Sequence, residues 1–251
     1  GATRESYVYQ CCGCGSFHFQ PVGRVDEDKK KFTASHGPVV GKECENCGKR
    51  FKMGGPMWTE PIHDKTWIRD MLKMMDKGGK EEFAIFDKVK GLLTLIEEEL
   101  EDVPLSVCLH DVTRTLKCCP PPHDDIRSAI ANAGFRVSST HDNATAIKTD
   151  APWPVFWDIM KGWVKDHPLA HDPQEGSPAH AILSKPAEIQ AKFARVFSAL
   201  SKSKMNKVAR FTPNPESHWG PGTRAGRKKR PPSAQHFFKD GSNKARKVEG
   251  G

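Results

Sequence analysis

A chain of 251 residues, 37% of them apolar and 28% charged, is long enough for one large domain or two small ones whose cores close without disulfides. No run approaches the roughly 18 consecutive apolar residues of a membrane span, and the N-terminus lacks the charged-then-apolar order of a signal peptide, so neither a helical membrane protein nor a secreted one is expected. Of the net charge of +8, residues 202–251 carry 13 Lys/Arg against 3 Asp/Glu, leaving 26 against 28 for residues 1–201, so the basicity that attracts polyanions belongs to the C-terminal tail.

The chain opens on Gly1-Ala2-Thr3-Arg4 and reads as a strand by Tyr7-Val8-Tyr9, from which we expect a piece of a longer protein. Two cysteine pairs then dominate, Cys11-x-x-Cys14 and Cys44-x-x-Cys47, each followed by a glycine free to take positive φ. A CxxC turn aims two thiolates at one ion, so the doubled pair predicts a tetrahedral zinc held by Cys11, Cys14, Cys44 and Cys47. Four thiolates leave no open position for water, which makes that zinc structural. The alternative is four reduced cysteines without metal. Cys12 falls outside the CxxC spacing and outside the predicted shell. The 29 residues between Cys14 and Cys44 exceed the common ribbon spacing, and residues 23–38 are expected to form an extended loop.

From Thr66 the periodicity becomes helical, with Trp67, Ile68, Met71, Leu72 and Met75 on one face and Gly78-Gly79 as the stop. Val89, Leu92, Leu93, Ile96 and Leu100 form a second apolar stripe opposite the acidic run Glu97 to Glu99. Next come a short apolar run at Leu105–Leu109, a short helix over Asp111–Lys117, and a helix opened by Pro120-Pro121-Pro122 and closed at Gly134, with Ile126, Ala129, Ile130 and Ala133 inward. Phe135–His141 and Thr145–Thr149 read as two strands about a turn. Helix, short helix, helix, hairpin is the winged-helix order, and Arg127, Arg136, His141 and Lys148 would supply its positive charge toward RNA; winged helices also serve as plain interaction modules.

Pro152-Trp153-Pro154 opens a helix with Val155, Phe156, Ile159, Met160 and Trp163 on one face, and His167–Ser177 reads as a polar loop. A last helix is expected over Pro186–Leu200, capped by Ser184. Beyond about residue 222 we expect disorder, with Arg224, Arg227, Lys228, Lys229 and Arg230 as an RNA-contacting or nuclear-localisation-like run.

Tyr7–Gly15, Cys44–Gly48, Gly54-Gly55-Pro56-Met57-Trp58 with Glu60-Pro61-Ile62-His63-Asp64, Ala146–Pro152, Trp157–Met160 and Asn214–Pro221 together resemble the eukaryotic tRNA (guanine-26, N2) dimethyltransferases, in the order of that family's C-terminal half. The resemblance implies a whole enzyme that transfers methyl groups from S-adenosylmethionine to the N2 amine of guanine 26 in tRNA. It also implies that this chain holds tRNA and lacks the N-terminal methyltransferase domain, its expected partner. No glycine-rich loop after a strand and no Asp-Pro-Pro/Phe-Tyr/Gly type motif is found, so no catalytic or cofactor-binding residue is assigned and the chain alone is expected to be inactive. Cys12 and the doubled Cys118-Cys119 depart from the family pattern without disturbing the CxxC spacing.

The expected architecture is therefore α+β: a four-cysteine zinc module over residues 1–62, a mainly helical, winged-helix-like tRNA-binding domain over 63–201, and a basic, Pro/Gly-rich tail over 202–251 that is largely disordered after about residue 222. Nuclear residence is expected, with mitochondrion and cytoplasm as alternatives. The competing reading is a free-standing zinc and winged-helix module for RNA or protein, with no enzymatic activity.

Overall fold

The computed structural model describes residues 4–208 apart from 27, 79, 81–84 and 206. The chain divides into two units, residues 1–213 and 214–251, and the second lies wholly outside the described residues, as do Arg224, Arg227, Lys228, Lys229 and Arg230.

The first unit begins with a three-stranded antiparallel sheet in which β1 (Glu5–Cys11) is central, flanked by β2 (Phe17–Pro21) and β5 (Phe51–Trp58). Between β2 and β5 the expected loop is instead a hairpin of β3 (Gly23–Asp26) and β4 (Lys31–Ala34). Apart from Gly23 its residues are exposed, so no buried face imposes the apolar alternation that would betray strands in the sequence. Gly23 is required there: a Cβ would lie 2.3 Å from the Phe32 ring.

Helices α1 (Lys65–Lys77) and α2 (Phe86–Glu98) bury Ile68, Met75, Leu93 and Ile96 against each other. Asp64 caps α1, its carboxylate accepting from the backbone N–H groups of Thr66 (2.9 Å) and Trp67 (3.0 Å). Trp67, expected inward, is 63% exposed. At 3.6 residues per turn it stands about 90° from the centre of the Ile68, Met71, Leu72, Met75 stripe, at its edge. Leu92 is likewise exposed, while Glu99, expected on the solvent side, is 2% exposed.

The main core gathers α3 (Leu109–Leu116), α4 (His123–Asn132), α5 (Trp153–Asp166) and α6 (Pro178–Leu183) with a second antiparallel sheet. That sheet has β8 (Ala146–Thr149) between β6 (Val107–Cys108) and β7 (Val137–Ser139). Gly134 takes φ of 89° just past α4, as its place in the sequence predicts. The four cysteines of the CxxC pairs belong to this same core, with Phe156, Trp157 and Ile182. Trp157 Nε1 donates to Ser16 Oγ (3.0 Å), and Trp153 Nε1 donates to the Phe17 carbonyl (2.9 Å).

The helix expected over Pro186–Leu200 does not form; a short 3-10 turn at Phe197–Ala199 is its one regular element among the described residues. Ser184 closes α6 instead, and α6 starts where the polar loop was expected to end, at Ser177 with Pro178 behind it. Several backbone groups of residues 188–196 are bonded by side chains of α4 and α5. Asp158 accepts from Glu188 and Ile189 N–H at 2.9 and 3.1 Å, and the Asn132 amide donates to the Lys192 and Ala194 carbonyls at 2.8 Å each. The segment closes on Gly162, where a Cβ would approach Ala191 to 2.6 Å.

Nor does the body end at residue 201. A short helix α7 (Lys202–Met205) follows, and the hydroxyls of Ser201 and Ser203 are buried beside the Glu98 carboxylate.

Ser16 links the first cysteine turn to α5 through a buried hydroxyl, so Ser16→Ala strands the Trp157 indole N–H. The expected loss is about 1–3 kcal/mol of stability, read as a lowered urea midpoint at unchanged slope.

Candidate functional site: two ligand clusters and a basic rim

The two CxxC turns are built alike. In each, the first cysteine's N–H donates to the carbonyl five residues on, Cys11 to Ser16 and Cys44 to Lys49, both at 2.8 Å. The glycine after the second cysteine donates back to the first cysteine's carbonyl, Gly15 to Cys11 (3.2 Å) and Gly48 to Cys44 (2.7 Å), with φ of 77° and 72°. Here the positive φ expected at these glycines is found. The turns bring four buried sulfurs within 4.8 Å of one another, with Cys11 to Cys47 at 3.3 Å and Cys14 to Cys44 at 3.7 Å. Sulfurs about 2.3 Å from a tetrahedral ion stand about 3.8 Å apart, so the cluster fits a metal with little movement. Crowding already pushes the thiols apart in acidity. Hydrogen bonds from Cys14 and then Cys47 hold Cys44 far below the usual thiol range, while Cys14, bonded to Cys44 and buried, is driven up. Cys12 is exposed and outside the cluster.

A second group was not legible in the sequence. His63, just before α1, Glu99, at the end of α2, and His141, after β7, place one ligand atom each within 4.8 Å of one another. Glu99 Oε1 is bonded to Lys148 Nζ at 2.8 Å, and Oε2 accepts from the His141 backbone N–H at 2.9 Å and meets His141 Nδ1 at 2.7 Å. Burial works to raise the Glu99 pKa, but the bonds from Lys148 and His141 outweigh it and the carboxyl ends below its ordinary value. Burial, then the neighbouring His141, lowers the pKa of His63.

These contacts bear on the expected RNA face. Arg127 is buried, its Nε donating to the Ala199 carbonyl (2.6 Å) and its Nη1 to Ser139 Oγ (2.8 Å). Lys148 is buried against Glu99, and His141 is turned to the same carboxylate. Arg136 is exposed but clamped between Asp102 and Asp150, at 2.6 Å from each, and holds the Asp102 carboxyl below its usual range. Arg127 and Lys148 thus place their charge inside the fold, and Arg136 places its charge on two carboxylates at the surface.

Sequence reasoning passed over another set of cations. Lys42, Lys49, Arg50 and Lys52 are exposed around the cysteine turns, and none enters an ion pair among the described residues. Lys49 lies across the first turn, its Cγ 2.5 Å from where a Gly13 Cβ would be, and the Arg50 carbonyl accepts from Cys12 N–H at 2.9 Å. Lys52 stands opposite Gln10 in the β1/β5 ladder. Beyond it, Met53, Trp58, Ile62, Trp67 and Met74 leave a run of large apolar side chains open to solvent on and after the edge strand β5.

Glu99→Gln removes the charge that compensates buried Lys148 and is expected to cost about 3–5 kcal/mol. Because the folded pKa of Glu99 is depressed, its contribution is present above the unfolded value of about 4.3 and is lost as pH falls through the folded one. The difference in stability between parent and variant, measured by denaturant titration at a series of pH values, should therefore shrink on acidification.

Comparison with known proteins bears on all of these features. The N2,N2-dimethylguanosine tRNA methyltransferase family matches residues 2–161. A tRNA (guanine(26)-N(2))-dimethyltransferase 2 of Arabidopsis thaliana is 48% identical over 225 residues, 88% of this chain and 38% of that protein. The tRNA (guanine(26)-N(2))-dimethyltransferase of Homo sapiens is 41% identical over 228 residues, 89% of this chain and 34% of that protein. The solved complex of Trm1 from Pyrococcus horikoshii with S-adenosyl-L-methionine aligns with a TM-score of 0.43 and 24% identity, over 62% of this chain and 34% of that one. The chain belongs to the N2,N2-dimethylguanosine tRNA methyltransferase family, and it spans little more than a third of the length of these two curated relatives.

Proposed function

We propose that this family member is the tRNA-holding, C-terminal part of a tRNA (guanine-26, N2) dimethyltransferase, and that transfer of methyl from S-adenosylmethionine takes place on a part of the enzyme outside these residues. The observation that carries the reading is the strand topology. Every strand pairing among the described residues is antiparallel, in sheets of two or three strands. A Rossmann-like cofactor site needs parallel strands with a helix N-terminus at their carboxyl ends. The described residues offer a scaffold with exposed cations and an exposed apolar edge.

In this reading Cys11, Cys14, Cys44 and Cys47 hold one zinc ion, whose chemistry is confined to folding: it ties the ends of β1 and β5 into one rigid block. The order β6, α3, α4, β7, β8, with β8 central, supports a winged helix over residues 107–149. Arg127 and Lys148 are buried and Arg136 is paired with Asp102 and Asp150, so we assign the phosphate contacts of the folded unit to Lys42, Lys49, Arg50 and Lys52. The apolar residues from Met53 to Trp67 then face the methyl-transfer part of the enzyme.

Two measurements test this. Zinc should remain after prolonged dialysis of the parent chain and be lost with Cys44→Ser; metal-free folded parent would overturn the assignment. tRNA binding should weaken steeply with salt, and the triple change of Lys49, Arg50 and Lys52 to Ala should lower the slope of log K against log salt by about 2–3, while Arg136→Ala leaves it unchanged. Binding of S-adenosylmethionine by this chain at micromolar concentration, or methylation of tRNA by it alone, would sink the proposed division of labour.

A further inference from the structure

His63, Glu99 and His141 are tied to no part of the proposed function, yet the tertiary fold brings them together around one buried carboxylate. His63 Nε2 is buried and has no protein partner. A buried polar atom in that state costs free energy unless a water or an ion completes it, so Nε2 is a candidate ligand atom. The atom belongs to a ring packed edge to face on His141, with centroids 5.0 Å apart, and the Glu99 carboxylate stands beside both. The three ligand atoms lie within 4.8 Å of one another, with Glu99 Oε2 and His141 Nδ1 at 2.7 Å, a range that contains the roughly 3.4 Å separation of nitrogen and oxygen ligands about 2.1 Å from a tetrahedral ion.

We infer that His63, Glu99 and His141 form a second metal site, for a divalent transition-metal ion such as zinc or cobalt. Imidazole with one carboxylate favours such ions over magnesium or calcium, which prefer all-oxygen shells. Three protein ligands leave a position for water, unlike the cysteine cluster. Lys148 holds Glu99 Oε1 and leaves Oε2 toward the histidines, orienting the ligand as an outer-shell partner does. The same ammonium opposes the incoming cation, so this site is the weaker of the two. On binding, His141 Nδ1 gives up its bond to Glu99 and any proton on it passes to solvent. The ligands come from three separate places, before α1, after α2 and after β7, so the ion would fasten the segment that follows β5 to both the helical pair and the second sheet.

The inference is independent of the cysteine site and is tested on the intact chain. Equilibrium dialysis against cobalt(II) should load two equivalents, the tighter one giving thiolate charge-transfer absorption and the weaker one giving visible bands without it. His63→Ala should keep the first and lose the second. In the parent, the second equivalent should also shift the imidazole resonances of His63 and His141, a readout that needs no variant. Saturation at one equivalent with those resonances unmoved would mean that a water completes Nε2. A second equivalent that survives His63→Ala would mean an adventitious surface ion. Either result overturns the site.

Discussion

The fold depends on one shared interior, in which the cysteine turns rest on the aromatic face of α5. Trp157 shares a core with the four cysteines and gives its indole N–H to Ser16, and Trp153 reaches the Phe17 carbonyl across the same boundary. An indole buries a large apolar area but has one polar atom to place, and both indoles place it in the cysteine-bearing turn or the strand after it. Residues 1–62 and 63–201, expected as two domains, therefore share one core. The first supplies hydrogen-bond acceptors that the second needs, and the second supplies the apolar floor that four crowded sulfurs require.

That dependence explains which parts of the architecture can be read from the chain. The cysteine turns are legible because their requirements are local: two thiols three residues apart, then a glycine at positive φ. Helices α1 to α5 are legible to the extent that each carries its own apolar stripe. Residues 184–196 are not. Their apolar spacing suits a helix, but Asp158, Asn132 and Ser128 from other helices bind the backbone groups a helix would use itself. A periodicity argument counts side chains and has no access to partners 30 to 68 positions away, so tertiary competition decided against it. The β3/β4 hairpin was missed for the opposite reason, since it has no buried face to leave a pattern.

Charge is where sequence and structure part most sharply. Arg127, Arg136 and Lys148 are basic residues in a segment whose element order suggests nucleic-acid contact, and each is held by a carboxylate, carbonyl or hydroxyl within the fold. The acidic partners, Glu99, Asp102 and Asp150, sit in sequence among ordinary surface-type runs, and nothing in their spacing marks Glu99 as buried. By contrast Lys49, Arg50 and Lys52 follow the second cysteine turn directly, where a tight turn and an edge strand leave long side chains no interior to enter. Position relative to a rigid local motif predicts availability better than membership in a recognisable domain does.

The same reasoning sets the two ligand clusters apart. The cysteine cluster is a local device repeated twice, and its four thiolates would give a closed shell. The His63, Glu99, His141 group is assembled by the tertiary fold from three distant places, with a lysine on one carboxylate oxygen and an imidazole on the other. Such a group cannot form before the helical pair and the second sheet have met, so whatever completes His63 Nε2 binds the finished fold and not its parts. An occupant there adds its binding free energy to the state in which the segment after β5 is seated on α2 and β7, by the same mass action that links any native-state ligand to stability. The apolar run from Trp58 to Trp67 brackets His63 in sequence. The buried carboxylate of Glu99 thereby bears on how firmly the exposed edge of this chain is presented to whatever packs against it.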